Sequence, residues 1–311
     1  MAEATEAPKP GVKHGIDGFA ADIQASVTFA HNRPLQIYFM ADPHGGAMKF
    51  LLCLAAFFSS LVHAQDNGPL SGLWWDRDEP GWGLSIHQRG DLLFATLLVY
   101  GEDGVAQWYF APRMECGPVD GETACNGPLF SATGPTFEPY DGFDSSRVHL
   151  RPVGDIEFFV MAGANGGVRY SVDGHSVTRR VQPLLPAGRS SVFSGVWINP
   201  AEPGWGLSIH HRDDVMFVTL LAYDGHGTAR WYVAPRVPRV WGIGDDDVWY
   251  SGDLYLASGP ILTSANAFDA AKVSLRPAGH VNLSIVKGVD GGVDIEFDGT
   301  RIQGSIMPFR F

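Results

Sequence analysis

Apolar and polar residues alternate with a period of two along most of the chain after residue 70. In "VRYSVDG", Val168, Tyr170 and Val172 alternate with Arg169, Ser171 and Asp173; in "VDIEFDG", Val293, Ile295 and Phe297 alternate with Asp294, Glu296 and Asp298. "VHLRP" and "DIEFFV" follow the same rule, which is that of strands buried on one face. Glycine-bearing segments read as the turns between them: "GEDG" (101–104), "GANGG" (163–167), "DGHG" (224–227) and "VDGG" (289–292). No stretch of ten or more residues carries a helical period. The pattern predicts an all-β protein.

The pattern is also written twice. Residues 71–113 align with 194–236 at a shift of 123, and "EPGWGLSIH" stands unchanged at 79–87 and 202–210. The match resumes at a shift of 125, where "FDSSRVHLRPVG" (143–154) faces "FDAAKVSLRPAG" (268–279). Two copies of one module follow from this, over 65–184 and 194–311, with 185–193 as the linker. Each copy is predicted to be an antiparallel up-and-down barrel or curled meander of about eight strands. Within the identical stretch, Pro80-Gly81 makes a turn, Trp82, Leu84 and Ile86 share one face, and Gly83, Ser85 and His87 share the other.

Two strands depart from the alternation. "LLFATLLVY" (92–100) and "VMFVTLLAY" (215–223) are apolar on both faces. One face fills the module's interior and the other needs a cover. The reading taken here is that the other copy supplies it; a loop of the same module is the alternative.

Composition sets the compartment and excludes one class of partner. Net charge is −12, and the copies hold only Lys272 and Lys287, so no basic face for nucleic acid is present. "MKFLLCLAAFFSSLVHAQ" has a short positive start at Lys49, an apolar run and the small-x-small site Val62-His63-Ala64. It reads as a secretory leader over 48–64, too short to span a membrane as a helix. Residues 1–47 then read as an upstream over-extension of the gene model, with translation starting at Met48 and the mature chain at Gln65. A cytosolic tail before an internal apolar helix is the competing reading. The expected location is the periplasm or outside the cell. Cys53 leaves with the leader, and Cys116 and Cys125 remain as an even pair flanking "GPVDGETA". A disulfide across that loop is predicted, with a metal site as the weaker alternative because no second cysteine or spaced histidine pair accompanies it.

Candidate chemistry is sparse. Ser85 and His87 lie two apart on a strand, roughly 6–7 Å by strand rise, which is out of reach for a nucleophile and its base; His87 is expected instead to cap a loop carbonyl. His210 and His211 are adjacent and point to opposite faces. The run Asp245-Asp246-Asp247 with Asp253 lacks calcium-loop spacing and reads as a solvated loop. A carboxylate pair of Glu79 and Glu202 serves glycoside hydrolysis only if the copies face across a cleft. Trp108-Tyr109 and Trp231-Tyr232 each place one aromatic outward, with Arg113 and Arg236 near the strand ends. Stacking of such groups on a sugar or peptide makes His87, Trp108, Arg113, His210, Trp231 and Arg236 the candidate ligand contacts; the alternative is that the packed modules cover both faces and Trp108 and Trp231 belong to the fold. No catalytic residue, metal or cofactor is assigned, and the ligand and oligomeric state are not readable.

At these residues the chain resembles a repeat of exported proteins of Gram-negative bacteria, of the form SG-x-W-x-N-P…G-W-G…Y-D-x-x-G…W-Y. The resemblance covers 71–311. Asp76-Arg77 stand where the second copy has Asn199-Pro200, and Gly101 stands for Asp224. The resemblance implies export and a β-rich repeat, and it supplies no catalytic residues. The expected function is an exported, non-catalytic protein that binds a glycan, peptide or cell-envelope component. An extracytoplasmic hydrolase with a site between the repeats is the alternative.

Overall fold

The computed structural model describes residues 68–119, 121–137, 143–161, 165–184, 191–243, 247–262 and 267–311. The readings of 1–47 and of the leader 48–64 fall outside the described residues, as do 185–190 of the linker and Asp245-Asp246.

Two closed antiparallel barrels form, each with its eight strands in chain order. The first comprises β1 (Gly72–Trp75), β2 (Gly83–Arg89), β3 (Leu92–Tyr100), β4 (Ala106–Val119), β5 (Glu122–Thr133), β6 (His149–Val160), β7 (Gly166–Val172) and β8 (His175–Pro183). It closes where Trp74 pairs with Pro183. The second comprises β9 (Gly195–Ile198), β10 (Gly206–Arg212), β11 (Val215–Tyr223), β12 (Ala229–Ile243), β13 (Asp247–Ser258), β14 (Ser274–Val286), β15 (Asp290–Phe297) and β16 (Thr300–Pro308). It closes where Met307 pairs with Ile198. Full closure removes the open edges that a curled meander would leave.

Alternation fills the interiors. Leu84, Ile86, Leu97, Ile156 and Phe158 of the first barrel are buried, as are their counterparts Leu207, Ile209, Leu220, Val281 and Leu283 in the second. The glycine pairs read as turns are strand residues instead: Gly166-Gly167 open β7, and Gly291-Gly292 lie in β15. A Cβ at Gly167 would sit 2.1 Å from the Phe159 ring, so glycine here admits an aromatic side chain from the neighbouring strand. The β14–β15 turn falls one step earlier, at Lys287 and Gly288, both at positive φ, the backbone of a tight hairpin.

Both ends of "GPVDGETA" are also strand, up to Val119 and again from Glu122. β4 and β5 run on past the cysteines, and Cys116 and Cys125 are opposite partners joined by a disulfide. Reducing it should lower stability by about 2–3 kcal/mol on the chain-entropy account. Urea unfolding with and without reductant checks this, and coincident curves would show that the bridge contributes nothing.

The barrels are interlocked. The β5–β6 connection of the first reaches across the second, where Thr133 bridges Thr228 and Gly134 N–H donates to the Gly227 carbonyl at 3.1 Å. The β13–β14 connection returns the exchange: Ser258 bridges Val105, and Gly259 N–H donates to the Gly104 carbonyl at 2.9 Å. Phe143 of one arm then stacks on Tyr223, and Phe268 of the other on Tyr100. The exchange is reciprocal, residue for residue, as in a two-fold symmetric dimer whose subunits happen to be one chain.

Candidate functional site at the seam between the barrels

β2, β3 and β4 face β10, β11 and β12 across the seam, and the identical stretches meet there. Leu84 and Ile86 point into their own barrel, so Ser85 and His87 point out of it and into the other. Ser85 and Ser208 are each fully buried, His87 is 2 % exposed and His210 8 %. The two hydroxyls lie 2.6 Å apart on the pseudo-two-fold axis. Ser85 Oγ is 2.7 Å from His210 Nε2, and Ser208 Oγ is 2.8 Å from His87 Nε2. The imidazoles stack with centroids 4.7 Å apart and planes 9° apart.

His87 therefore caps no loop carbonyl; its partner is a serine of the other copy. The spacing within one strand was also less restrictive than expected, since Ser85 Oγ and His87 Nε2 are 3.4 Å apart. The imidazole leans back along the strand, which strand rise alone does not describe.

Burial fixes the protonation of this cluster. Desolvation drives His210 down to about 3, and holds His87 well below the usual histidine range, with His210 adding to the effect. Both rings are neutral at pH 7. The three short contacts, at 2.6, 2.7 and 2.8 Å, link the four groups in a chain, and the hydroxyls bring two protons, so one imidazole donates from Nε2 and the other accepts there. His87 Nδ1 has no partner. An unpaired acceptor costs less than an unpaired N–H, which favours a chain running from His87 Nε2–H through Ser208 and Ser85 to His210 Nε2. The chain of bonds ties the seam together; with no exposure at either serine, it offers no approach for a substrate.

The rest of the identical stretch serves the same contact. Glu79 accepts from Phe268 N–H of the crossing arm at 3.0 Å and from Arg179 at 2.7 Å. Glu202 accepts from Phe143 N–H at 3.4 Å and from Asn199 at 3.0 Å. Each carboxylate holds an arm, and they form no hydrolytic pair. Gly81 and Gly204 have φ of +124° and +130°, and a Cβ on either would meet Val273 or Val148 of the other module at 2.7 or 2.6 Å. Asn199 keeps its amide on Glu202, a contact that Asp76 in the first copy does not make. Asp224 holds Arg230 at 2.7 Å, and Arg230 also pairs with Asp103 of the first barrel. The first copy has Gly101 and Gln107 at these places, so cation and carboxylate are absent together.

Trp108 and Trp231 do point out of their own barrels, but the other barrel covers them, leaving 5 % and 6 % exposed. Their Nε1–H groups donate across the seam to the Ala222 and Val99 carbonyls, at 3.3 and 2.9 Å. Arg113 and Arg236 are exposed; Arg113 lies 3.6 Å from Glu115. The six candidate ligand contacts thus divide into four seam residues and two solvent-facing arginines. His211 turns the opposite way from His210, into its own barrel, where Tyr250 OH lies 2.9 Å from Nε2. Burial lowers its pKa to about 4, with a small opposing push from Asp214 and a reinforcing one from Arg239.

Two surface features escaped the sequence reading. Asp253 Oδ1, His280 and Ser251 Oγ are joined in the order acid, imidazole, hydroxyl, at 3.2 and 2.7 Å. The order is that of a hydrolytic relay, but the Ser251 proton goes to Asn282 Oδ1 at 2.8 Å, and all these groups stand on the outer face of β13 and β14. They order a strand surface. The second feature is an aromatic pair. Trp241 and Trp249 are direct cross-strand partners near the tip of the β12–β13 hairpin, 60 % and 47 % exposed. The first copy has Gly117 opposite Ala124 at the corresponding place. The signal in the sequence was the two tryptophans flanking the acidic run "GDDDV".

Among the described residues, no three His, Cys, Asp or Glu side chains are grouped to hold a metal ion, and no helix is long and apolar enough to cross a membrane. Comparison with family models, curated proteins and solved structures finds no match. Fold and seam define the chain as a two-barrel pseudo-dimer.

Proposed function

We propose that this is an exported, non-catalytic protein that binds a glycan, and that Trp241 and Trp249 form the contact. The exposed tryptophan pair carries the reading. Two exposed indoles at facing positions of one hairpin suit the C–H face of a pyranose ring, and exposed Asp247 two residues before Trp249 is suited to accept from hydroxyls. The seam residues are unsuited to this role because the other barrel covers them. Absence of the pair from the first copy makes the site single. Export is supported by the leader-like segment at 48–64, by the resemblance of the repeat to exported proteins, and by the disulfide, which an oxidising compartment maintains. A hydrolase site between the repeats would need access to Ser85 and Ser208, and both are fully buried.

Calorimetry with soluble cell-wall oligosaccharides, and sedimentation with isolated cell-wall sacculi, test the reading. Trp241→Ala and Trp249→Ala should each weaken binding by about 1–3 kcal/mol and shift stability by no more than about 0.5 kcal/mol. Wild-type protein that binds neither preparation, or variants that bind as well as wild type, would overturn it. Binding to a peptide panel alone would move the proposal to that class.

A further inference from the structure

The tryptophan pair begins a row that crosses the outer face of the second barrel. From Trp241 and Trp249 the pairing continues to Ser284, Gly292 and Ser305, one residue on each of β12 to β16. Their chain neighbours Val248, Tyr250, Leu283, Ile285, Val293 and Ile306 are buried inside the barrel, so the row faces outward. Five strands at a spacing of about 4.8 Å make it roughly 19 Å long. That exceeds one sugar ring and suits a chain.

A second row lies between the first and the barrel rim. Asp247, Val286, Asp290 and Met307 are exposed, each two residues along its strand from Trp249, Ser284, Gly292 or Ser305, and they share the outward face. Acid and apolar side chains alternate in it. Farther down the same face Arg301 pairs with Asp294 and Glu296, and His280 with Asp253. Asp247 and Asp290 have no ion pair among the described residues, with Lys287 of the intervening turn or with any other cation. The first barrel lacks this arrangement. Its row reads Gly117, Ala124, Phe159, Gly167 and Arg180. Phe159 lies over Gly167 there, whereas Gly292 has only the Ser284 hydroxyl and the Gly304 carbonyl near it. Asn165 stands for Asp290, and Gln182 for Met307.

We propose that the glycan held by Trp241 and Trp249 is a linear β-1,4-linked chain of amino sugars with free amino groups, laid across β12 to β16. This holds only if the pair binds a glycan. Sugar ring faces meet the two indoles, Ser284 and Ser305 bond to ring hydroxyls, and Gly292 lets the chain approach the backbone. Asp247 and Asp290 line one edge of the path, two strands or about 10 Å apart. Successive rings of an extended β-1,4-linked chain turn over, so amino groups on one edge recur at every second ring and meet the two carboxylates in turn. The protein's net charge of −12 adds a general attraction for such a polycation.

The test titrates the full chain, at low salt, with the hexamer of glucosamine and separately with the hexamer of N-acetylglucosamine. The glucosamine hexamer should bind at least tenfold more tightly, and raised salt should shrink the difference. Asp247→Asn combined with Asp290→Asn should remove the preference and leave binding of the acetylated hexamer within twofold. Ser305→Arg, which installs the residue of the first copy, should weaken binding of the glucosamine hexamer selectively. All three positions are exposed, so unfolding midpoints should not move. Equal binding of the two hexamers, or a preference that survives both variants, would overturn the amino-sugar assignment and leave glycan binding standing. Binding of neither hexamer would overturn it as well, and the cell-wall preparations then decide glycan binding on their own.

Discussion

Acidification from pH 7.5 to 5 should destabilise the protein by about 2 kcal/mol for each of His87, His210 and His211, the largest pH effect the structure contains. All three are buried as neutral rings, with folded pKa values held well below 6.5, about 3 for His210 and about 4 for His211. The unfolded chain therefore takes up protons first as pH falls. Stability is whole above about pH 6.5 and declines from there toward the folded values. Charging both stacked rings would set two cations 4.7 Å apart in a dry seam, so the pair resists protonation more than either ring alone. Urea unfolding at pH 7.5, 6 and 5 reads the effect, and His211→Gln should remove about a third of it. A midpoint that does not move over this range would contradict the burial of these rings.

The next largest effect is expected from the seam tryptophans. Trp231→Ala and Trp108→Ala should each cost about 3–5 kcal/mol, because each ring is buried beneath the opposite barrel and donates a hydrogen bond into it. Trp231→Phe retains most of the packing and loses the bond to the Val99 carbonyl, so about 1–2 kcal/mol is expected. The contrast matters: a ligand-contact role predicts unchanged stability for the alanine variants, and a packing role predicts a large loss that phenylalanine partly restores. Unfolding midpoints in urea distinguish them. Unchanged midpoints would return Trp108 and Trp231 to the list of ligand contacts.

Strand alternation made the barrels legible, since Val168, Tyr170 and Val172 announce their inward face without help from any other element. Apolar residues on both faces of "LLFATLLVY" likewise announced that something covers β3. What the sequence could not show was pairing across space. Nothing near Ser85 in the chain indicates that its partner is Ser208, because a symmetric contact leaves the same residues at both places and no complementary pattern to find. Gly166-Gly167 misled for a related reason: glycine marks turns and close approaches alike, and the approach of Phe159 is a cross-strand event. Trp241 and Trp249 were visible as letters, but their value lies in a cross-strand pairing that leaves both rings exposed, and pairing is not written in either strand alone.

The exchange of arms bears on dilution. Two separate single-barrel chains making this contact would associate in proportion to their concentration, and would part when diluted below their dissociation constant. A tether between them supplies an effective concentration in the millimolar range, whatever the number of molecules in solution. The seam therefore closes as readily in a lone molecule as in a concentrated solution.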